Sequence, residues 1–389
     1  MASDIELPLG RRIELARRRR GLSREILGDL IGRSSEWVRQ VERGDRPVDR
    51  LSLLLLLAKV LKVSDPPSFL GCAMPKADPA APPPGLVESL RDTLYRPPAA
   101  PRRSVDQLEL RTRLDDIWTD WHESPHPYST TLQRLPALIS ALSTVEGSDD
   151  LIANAHRLAS AVLRRLGDLP AALLASERAV AAARRSGDPL AEAACIDGFG
   201  NTLARLGSPA QARQVCLIAA STLDADDVAH LCVQGALHLT AAEAAVADDD
   251  HLVGERLLDR ARATAVRLGE DRNDYSCAFG PTGVQIHAVR ISLRQGRVRQ
   301  ALRLAETVDV QRVPARERRS RHYITVARAH ARQDNTAAMV LALLKAEDMC
   351  PEEIRYNREA RAVLRDLLQR DDALIRTDVL ALAQRTGLT

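Results

Sequence analysis

The chain has 389 residues, of which 28% are charged and 45% apolar. That balance excludes a disordered polymer and gives room for two or three folded units with a sizeable core. The formal charge is only +3, so net charge alone does not point to nucleic acid; its distribution is more useful, the mild positive excess sitting wholly at the N-terminus, where residues 1–70 hold 14 Lys+Arg against 10 Asp+Glu and the remainder holds 41 against 42.

Along the chain, the opening MASDIELPLGRR lacks the apolar core of a signal peptide. The segment 21–47, GLSREILGDLIGRSSEWVRQVERGDRP, carries the sharpest pattern. Ser23 is placed to cap a helix whose one apolar face is Ile26, Leu27, Leu30 and Ile31. Gly32 sits where a sharp turn needs a positive φ or close packing. Ser34 then caps a second helix, which Gly44 ends. Helical phase points Ser34, Val38 and Val41 inward, sets Trp37 at the edge of the core, and turns Ser35, Glu36, Arg39, Gln40 and Arg43 outward. Two short helices around a Gly turn in this phase make a helix-turn-helix.

The segment from about 9 to 71 resembles the Cro/phage-repressor type of helix-turn-helix, the XRE family. The resemblance implies that the second motif helix enters the major groove of double-stranded DNA. It places Ser35, Glu36 and Gln40 at base-reading positions, with Arg39 as a fourth candidate. Chemically, Arg can bridge guanine, Gln adenine, and Glu can accept from cytosine. Arg24, Arg43 and Arg46 are expected at the DNA backbone. Arg17 and Glu42 match positions that form an internal salt bridge in that family. Such modules read pseudo-palindromes as pairs, so a homodimer is expected.

Ten of the 21 prolines fall between Pro66 and Pro101, which marks a linker interrupted by one short amphipathic helix at Leu86–Tyr95. The expected domains are therefore 1–71, a Pro-rich linker at 72–104, and 105–389. Beyond the linker the periodicity is helical, with no alternating strand. A turn residue followed by small residues five and seven-plus-five positions later recurs at Gly167-Ala172-Ala179, Gly207-Ala212-Ala219, Asp249-Gly254-Ala261, Gly296-Ala301-Val308 and Asp334-Met339-Ala346. Seven residues before each turn stands Ser160, Gly200, Ala242, Val289 or Ala327. Antiparallel helices joined by a tight turn approach closely only where side chains are small, and each hairpin leaves an apolar face for the next.

This pattern resembles the tetratricopeptide repeat over roughly 105–385, with the signature Trp replaced and the closing Pro missing. The expected fold is therefore all-α, a helix-turn-helix domain followed by a right-handed tetratricopeptide-like superhelix. Two segments depart from the repeat: a divergent first hairpin at 105–146 around Trp118, Trp121 and Tyr128, and GEDRNDYSCAFGPTGV at 269–284, a shaped loop. The first helix of each hairpin would line the concave face. That places Asn154, Arg157, Asp197, Asn201, Glu243, Arg290, Arg321 and Arg328 in a candidate ligand groove, whose amides and guanidiniums suit a peptide or polar small molecule.

The order of the two parts resembles peptide-sensing regulators of the RRNPP group, and more so the actinobacterial regulators with the same layout. The resemblance implies a transcription regulator in which a ligand in the groove alters dimer geometry and DNA binding. A competing reading is an adaptor whose repeats hold a partner protein while the helix-turn-helix only localises the complex. No catalytic or cofactor motif is found: GFGN at 198–201 has no preceding strand, HExxH is absent, and Asp248-Asp249-Asp250 reads as a capping turn. The six cysteines never stand at two-residue spacing, which argues against a zinc or redox site and for small buried hydrophobes. With no apolar run of about 18 residues, no membrane contact and a cytoplasmic location are expected.

Overall fold

The computed structural model describes residues 8–46, 48, 57, 60, 61, 63, 84–96, 107–224, 227–370 and 372–388. The chain divides into two compact units, 1–78 and 79–389. The linker prolines outside 84–96, Cys72, both expected domain boundaries near 71 and 104, and most of residues 47–71 of the segment resembling the XRE family lie outside the described residues.

In the first unit, α1 (Leu9–Arg19), α2 (Arg24–Ile31) and α3 (Ser35–Arg43) start and stop on local signals. Ser23 Oγ accepts the Ile26 N–H and Ser34 Oγ accepts the Trp37 N–H, each at 3.1 Å. These side chains satisfy donors that a helix N-terminus otherwise leaves open. Gly32 closes α2 at φ 66, a left-handed conformation that a Cβ would strain. Ile13, Leu27, Ile31, Val38 and Val41 bury a common core with Leu57 and Leu61, and Trp37 packs at its edge. A Cβ at Gly10 would stand 2.2 Å from the Val41 carbonyl oxygen, so α1 and α3 cross in near backbone contact. Two expectations fail here. Of the apolar face read for α2, Leu27 and Ile31 are buried but Ile26 and Leu30 are exposed. Ser34 is exposed rather than turned to the core, because its hydroxyl faces back to cap α3.

The named elements of the second unit are all helices, and an isolated bridge pairs Arg272 with Phe279 in a loop. Its first helix, α4 (Pro84–Tyr95), is the short helix expected within the linker. It is integral to this unit: Leu90 and Leu94 are fully buried in the core formed around Trp121 and Tyr128. Six hairpins follow: α5 (Gln107–Glu123) with α6 (Pro127–Leu142), α7 (Asp149–Leu166) with α8 (Leu169–Ser186), α9 (Pro189–Arg205) with α10 (Pro209–Ser221), α11 (Val228–Ala247) with α12 (His251–Leu268), α13 (Pro281–Arg294) with α14 (Val298–Glu306), and α15 (Arg316–Ala331) with α16 (Thr336–Met349). The short α17 (Pro351–Tyr356), α18 (Arg358–Gln369) and α19 (Arg376–Thr386) complete it.

The repeat anticipated from sequence is present in the backbone. All five turn residues take positive φ: Gly167 at 85, Gly207 at 83, Asp249 at 59, Gly296 at 77 and Asp334 at 53. The small positions on either side are buried, among them Ser160, Ala172, Ala179, Ala212, Ala242, Ala261, Ala301, Ala327 and Ala346. At Gly200 an added Cβ would lie 2.4 Å from Cys216 Sγ, which fixes the approach of α9 and α10 and gives GFGN a packing role. Asp250 caps α12 through Val253 N–H at 3.2 Å. The five described cysteines are free and buried, as small hydrophobes are.

The 269–280 loop is shaped by Phe279, which is inserted against Gly235: a Cβ there would meet its ring at 2.1 Å. Asp271 then receives the Thr282 N–H at 3.0 Å at the start of α13. The end of the unit returns to its beginning. Glu352 Oε2 of α17 accepts the backbone N–H groups of Tyr128 at 2.7 Å and Ser129 at 3.2 Å, and Glu353 accepts the Tyr128 hydroxyl at 2.6 Å. The hairpins therefore close into a ring.

Candidate nucleic-acid interface and ligand cavity

The interface candidate is built on α3. Its inner face is fixed by a buried ion pair: Arg17 Nε and Glu42 Oε1 are 2.6 Å apart, with Nη2 to Oε2 at 3.2 Å. Arg17 Nη1 also donates to the Leu22 carbonyl at 2.7 Å. The pair anticipated from sequence thus ties α1 to α3. Arg24 joins it, its Nε 2.7 Å from Glu42 Oε2, with the rest of its side chain partly in solvent. Position 24 therefore orders the domain, whatever else its guanidinium reaches.

On the outer face, Ser35, Glu36, Arg43 and Arg46 are exposed, and Arg39 and Gln40 are half-buried. Three of these side chains are joined. Arg39 Nη2 and Nε lie 2.6 and 2.8 Å from the two Glu36 oxygens, and Gln40 Nε2 donates to Glu36 at 3.3 Å. Arg39 holds the Glu36 carboxyl below its ordinary range. An exposed pair of this kind is weak and screened by salt, so it opens readily to a competing partner. Arg33 lies 5.8 Å from the Trp37 ring centroid, which keeps the indole at the core edge.

In the second unit, the first helices of five hairpins converge on a cavity of about 420 Å³. Of the groove residues expected from sequence, Asn201, Glu243, Arg290, Arg321 and Arg328 line it. Asn154, Arg157 and Asp197 do not. Arg157 is buried over the Trp118 ring at 5.0 Å and donates to Asn154 at 3.3 Å, while Asp197 accepts the Thr240 hydroxyl at 2.5 Å. These three are satisfied within the wall.

Sequence reasoning missed most of the cationic wall. Ten arginines line the cavity against three carboxylates, Glu243, Asp271 and Glu359. A signal existed: the residue two before the turn is Arg165, Arg205, Arg294 and Arg332 in four of the five repeats, and all four line the cavity. Arginine at a helix C-terminus is also favoured by the helix dipole, so the register reads as an ordinary helix end unless the repeats are superposed.

Part of this charge is compensated. Behind the wall lies Glu317, buried, with Arg165 Nη2 at 3.1 Å and Arg318 and Arg321 each at 3.8 Å. Burial opposes its charge, but Arg165, Arg321, His122 and Arg318 hold its carboxyl down at about 2. Glu243 pairs with Arg290 at 2.8 Å and stands 2.6 Å from His287, though that last contact lacks hydrogen-bond geometry. Arg328 pairs with Glu359 at 2.7 Å. The compensation is incomplete. Arg164 donates to the Gly198 carbonyl at 2.9 Å and has no carboxylate partner among the described residues. Burial and the like charges of Arg165, Arg205 and Arg321 push its pKa down to about 9. Burial and Arg165 do the same to Arg321, also to about 9.

Residues 8–67 match a family profile described as a helix-turn-helix domain. The N-terminal unit is a helix-turn-helix domain. No curated protein matches the chain. Among solved structures, it is similar to PlcR of Bacillus thuringiensis in complex with the peptide PapR7 and DNA, at 12% identity and TM-score 0.29, covering 84% of this chain and 97% of that one. It is also similar to the apo form of ComR from S. thermophilus, at 14% identity and TM-score 0.31, covering 78% and 94%. A third is the apo competence regulator ComR from Streptococcus vestibularis, at 16% identity and TM-score 0.28, covering 77% and 92%. In the helix-turn-helix domain of this chain, α3 is the second motif helix, and its outer face is the one open to a partner. Among the described residues, no helix is long and apolar enough to cross a membrane.

Proposed function

We propose that this chain is a sequence-specific, DNA-binding transcription regulator, acting as a homodimer on a pseudo-palindromic operator, with a repeat domain that senses a ligand. The observation that carries the reading is α3 itself: a capped helix locked from behind by Arg17 and Glu42, presenting Glu36, Arg39 and Gln40 together on an open face. Rigid placement behind and polar forks in front suit base-edge reading in the major groove. Ser35 belongs to that reading set, and Arg24, Arg43 and Arg46 supply the phosphate contacts. XRE-type membership, a superhelix of the tetratricopeptide kind, a cytoplasmic location and the absence of catalysis belong to the same reading.

The test is DNA capture. Purified protein is incubated with sheared host DNA, and the bound fragments are sequenced. An enriched pseudo-palindrome that disappears when Arg39 and Gln40 are replaced by Ala supports the reading. Enrichment unchanged by the double substitution would overturn the assignment of α3.

A further inference from the structure

The ring-enclosed cavity carries an excess of positive charge that nothing in the fold balances. Arg165 Nη1, Arg318 Nε and Arg321 Nε are buried without a hydrogen-bond partner. The Arg165 side chain is only 10% exposed. Arg205 and Arg294, both exposed to solvent, add further charge at its rim and make no ion pair among the described residues. A buried guanidinium donor left unpaired is costly, and several facing one space repel each other. Proteins remove such costs by neutralising, pairing or binding a counter-charge, and arginine does not neutralise near pH 7. The pKa values of Arg164 and Arg321, lowered but still about 9, carry the same message: the positive charge stays, with no carboxylate beside Arg164 among the described residues and only a share of Glu317 at 3.8 Å for Arg321. The volume of about 420 Å³ falls in the range of small-molecule sites. Phe279, Ile286, Val313 and Ile324 also line it and give it apolar surface beside the arginines.

We propose that this cavity binds a compact polyanion with an apolar body, its phosphate or paired carboxylate head held by Arg164, Arg165, Arg205 and Arg321. Both head groups fit the planar fork of arginine through paired hydrogen bonds. The proposal names the ligand class for the sensing role above and rests on that reading for its consequence at DNA.

The experiment uses the full-length protein with inorganic pyrophosphate and citrate as probes, in calorimetric titration and thermal melting against sodium chloride of equal ionic strength. At least one probe saturates and raises Tm beyond the chloride control, and the preferred one tells a phosphate head from a carboxylate head. Arg205→Gln and Arg321→Gln each weaken binding at least tenfold, whereas Arg262→Gln, on an exposed pair with Asp259, does not. Without any probe, Arg321→Gln melts no lower than the parent, since it relieves repulsion. Failure of both probes to exceed chloride, or binding unaffected by the cavity substitutions, overturns the site. Binding that leaves affinity for captured DNA unchanged sustains the site and removes the sensing role. A neutral ligand that alters DNA affinity where neither anion binds keeps the sensing role and overturns the site.

Discussion

Glu352 takes the backbone N–H of Tyr128, 224 positions earlier in the chain, at 2.7 Å. The same carboxylate also accepts from the Ser129 amide and hydroxyl, so it occupies the open N-terminus of α6 as an anion would. It is the latch between the last helices and the first hairpin. Replacing Glu352 by Ala strands those donors in a buried place, which costs about 1–3 kcal/mol. The expected outcome is a lower denaturation midpoint and a larger radius of gyration in solution scattering. An unchanged radius would show that Glu353, the packing of Tyr128 against Trp121 and Tyr356, and the Arg165–Glu317 pair hold the ring without Glu352.

Arg17 and Glu42 are a different kind of pair, wholly inside the helix-turn-helix domain. Removing one partner leaves an uncompensated buried charge, so Glu42→Ala should destabilise that domain by about 3–5 kcal/mol. Hydrogen exchange of α1 and α3 reads this directly, and the second unit serves as an internal control. Protection equal to the parent in α1 and α3 would contradict the role given to the pair.

On α3 the prediction is one of specificity. Arg39→Ala and Gln40→Ala should each cost about 1–3 kcal/mol on the preferred operator, and far less on unrelated DNA. Arg43→Ala and Arg46→Ala should weaken binding to all sequences alike and flatten the salt dependence. Titrations of operator and random duplex across a salt series separate the two behaviours. Glu36→Ala frees Arg39, and a change of preferred base at one operator position is the expected result.

Three buried histidines set the acid limit of the second unit. Burial lowers His122, His156 and His322 to about 4, against an ordinary 6.5. Above about pH 6.5 both folded and unfolded forms are neutral, and the groups add no pH dependence. Between 6.5 and 4 the unfolded chain takes up protons that the folded one refuses, so stability falls as pH falls. The loss is on the order of 2 kcal/mol per ring near pH 4.5. Urea midpoints measured from pH 7.5 to 4.5 should fall accordingly. Both nitrogens of His122 lack a hydrogen-bond partner, and its ring stacks on Trp118 at 5.4 Å. His122→Phe should therefore keep the stack, raise the midpoint and flatten part of the slope. A variant with the parent's full slope would exclude His122 as a contributor.

What could be read from the sequence is what short stretches decide. Gly32, the Ser23 and Ser34 caps and the five turn residues act within a few positions, and each appears in the backbone as anticipated. The ring closure could not be read that way. It depends on small angles between hairpins that accumulate until Glu352 reaches Tyr128, and no local pattern records them. The candidate groove was half legible for a related reason. Counting along each first helix finds the face but not the depth, and the aromatic cluster of the first hairpin draws Arg157 onto Trp118 and out of the cavity. The cationic wall sits nearer the helix ends, where Arg165, Arg205, Arg294 and Arg332 share one place in the repeat.

An open array of hairpins can fold from any point, each unit leaning only on its neighbours. This chain has given up that freedom. During synthesis at about 5–20 residues per second, Tyr128 emerges roughly 10–45 s before Glu352 exists to meet it. Through that interval the arginine wall is without its last helices, open to every anion in the surroundings. A ligand present at the moment of closure is enclosed as part of folding, so nascent chains and finished rings should differ in how fast they load.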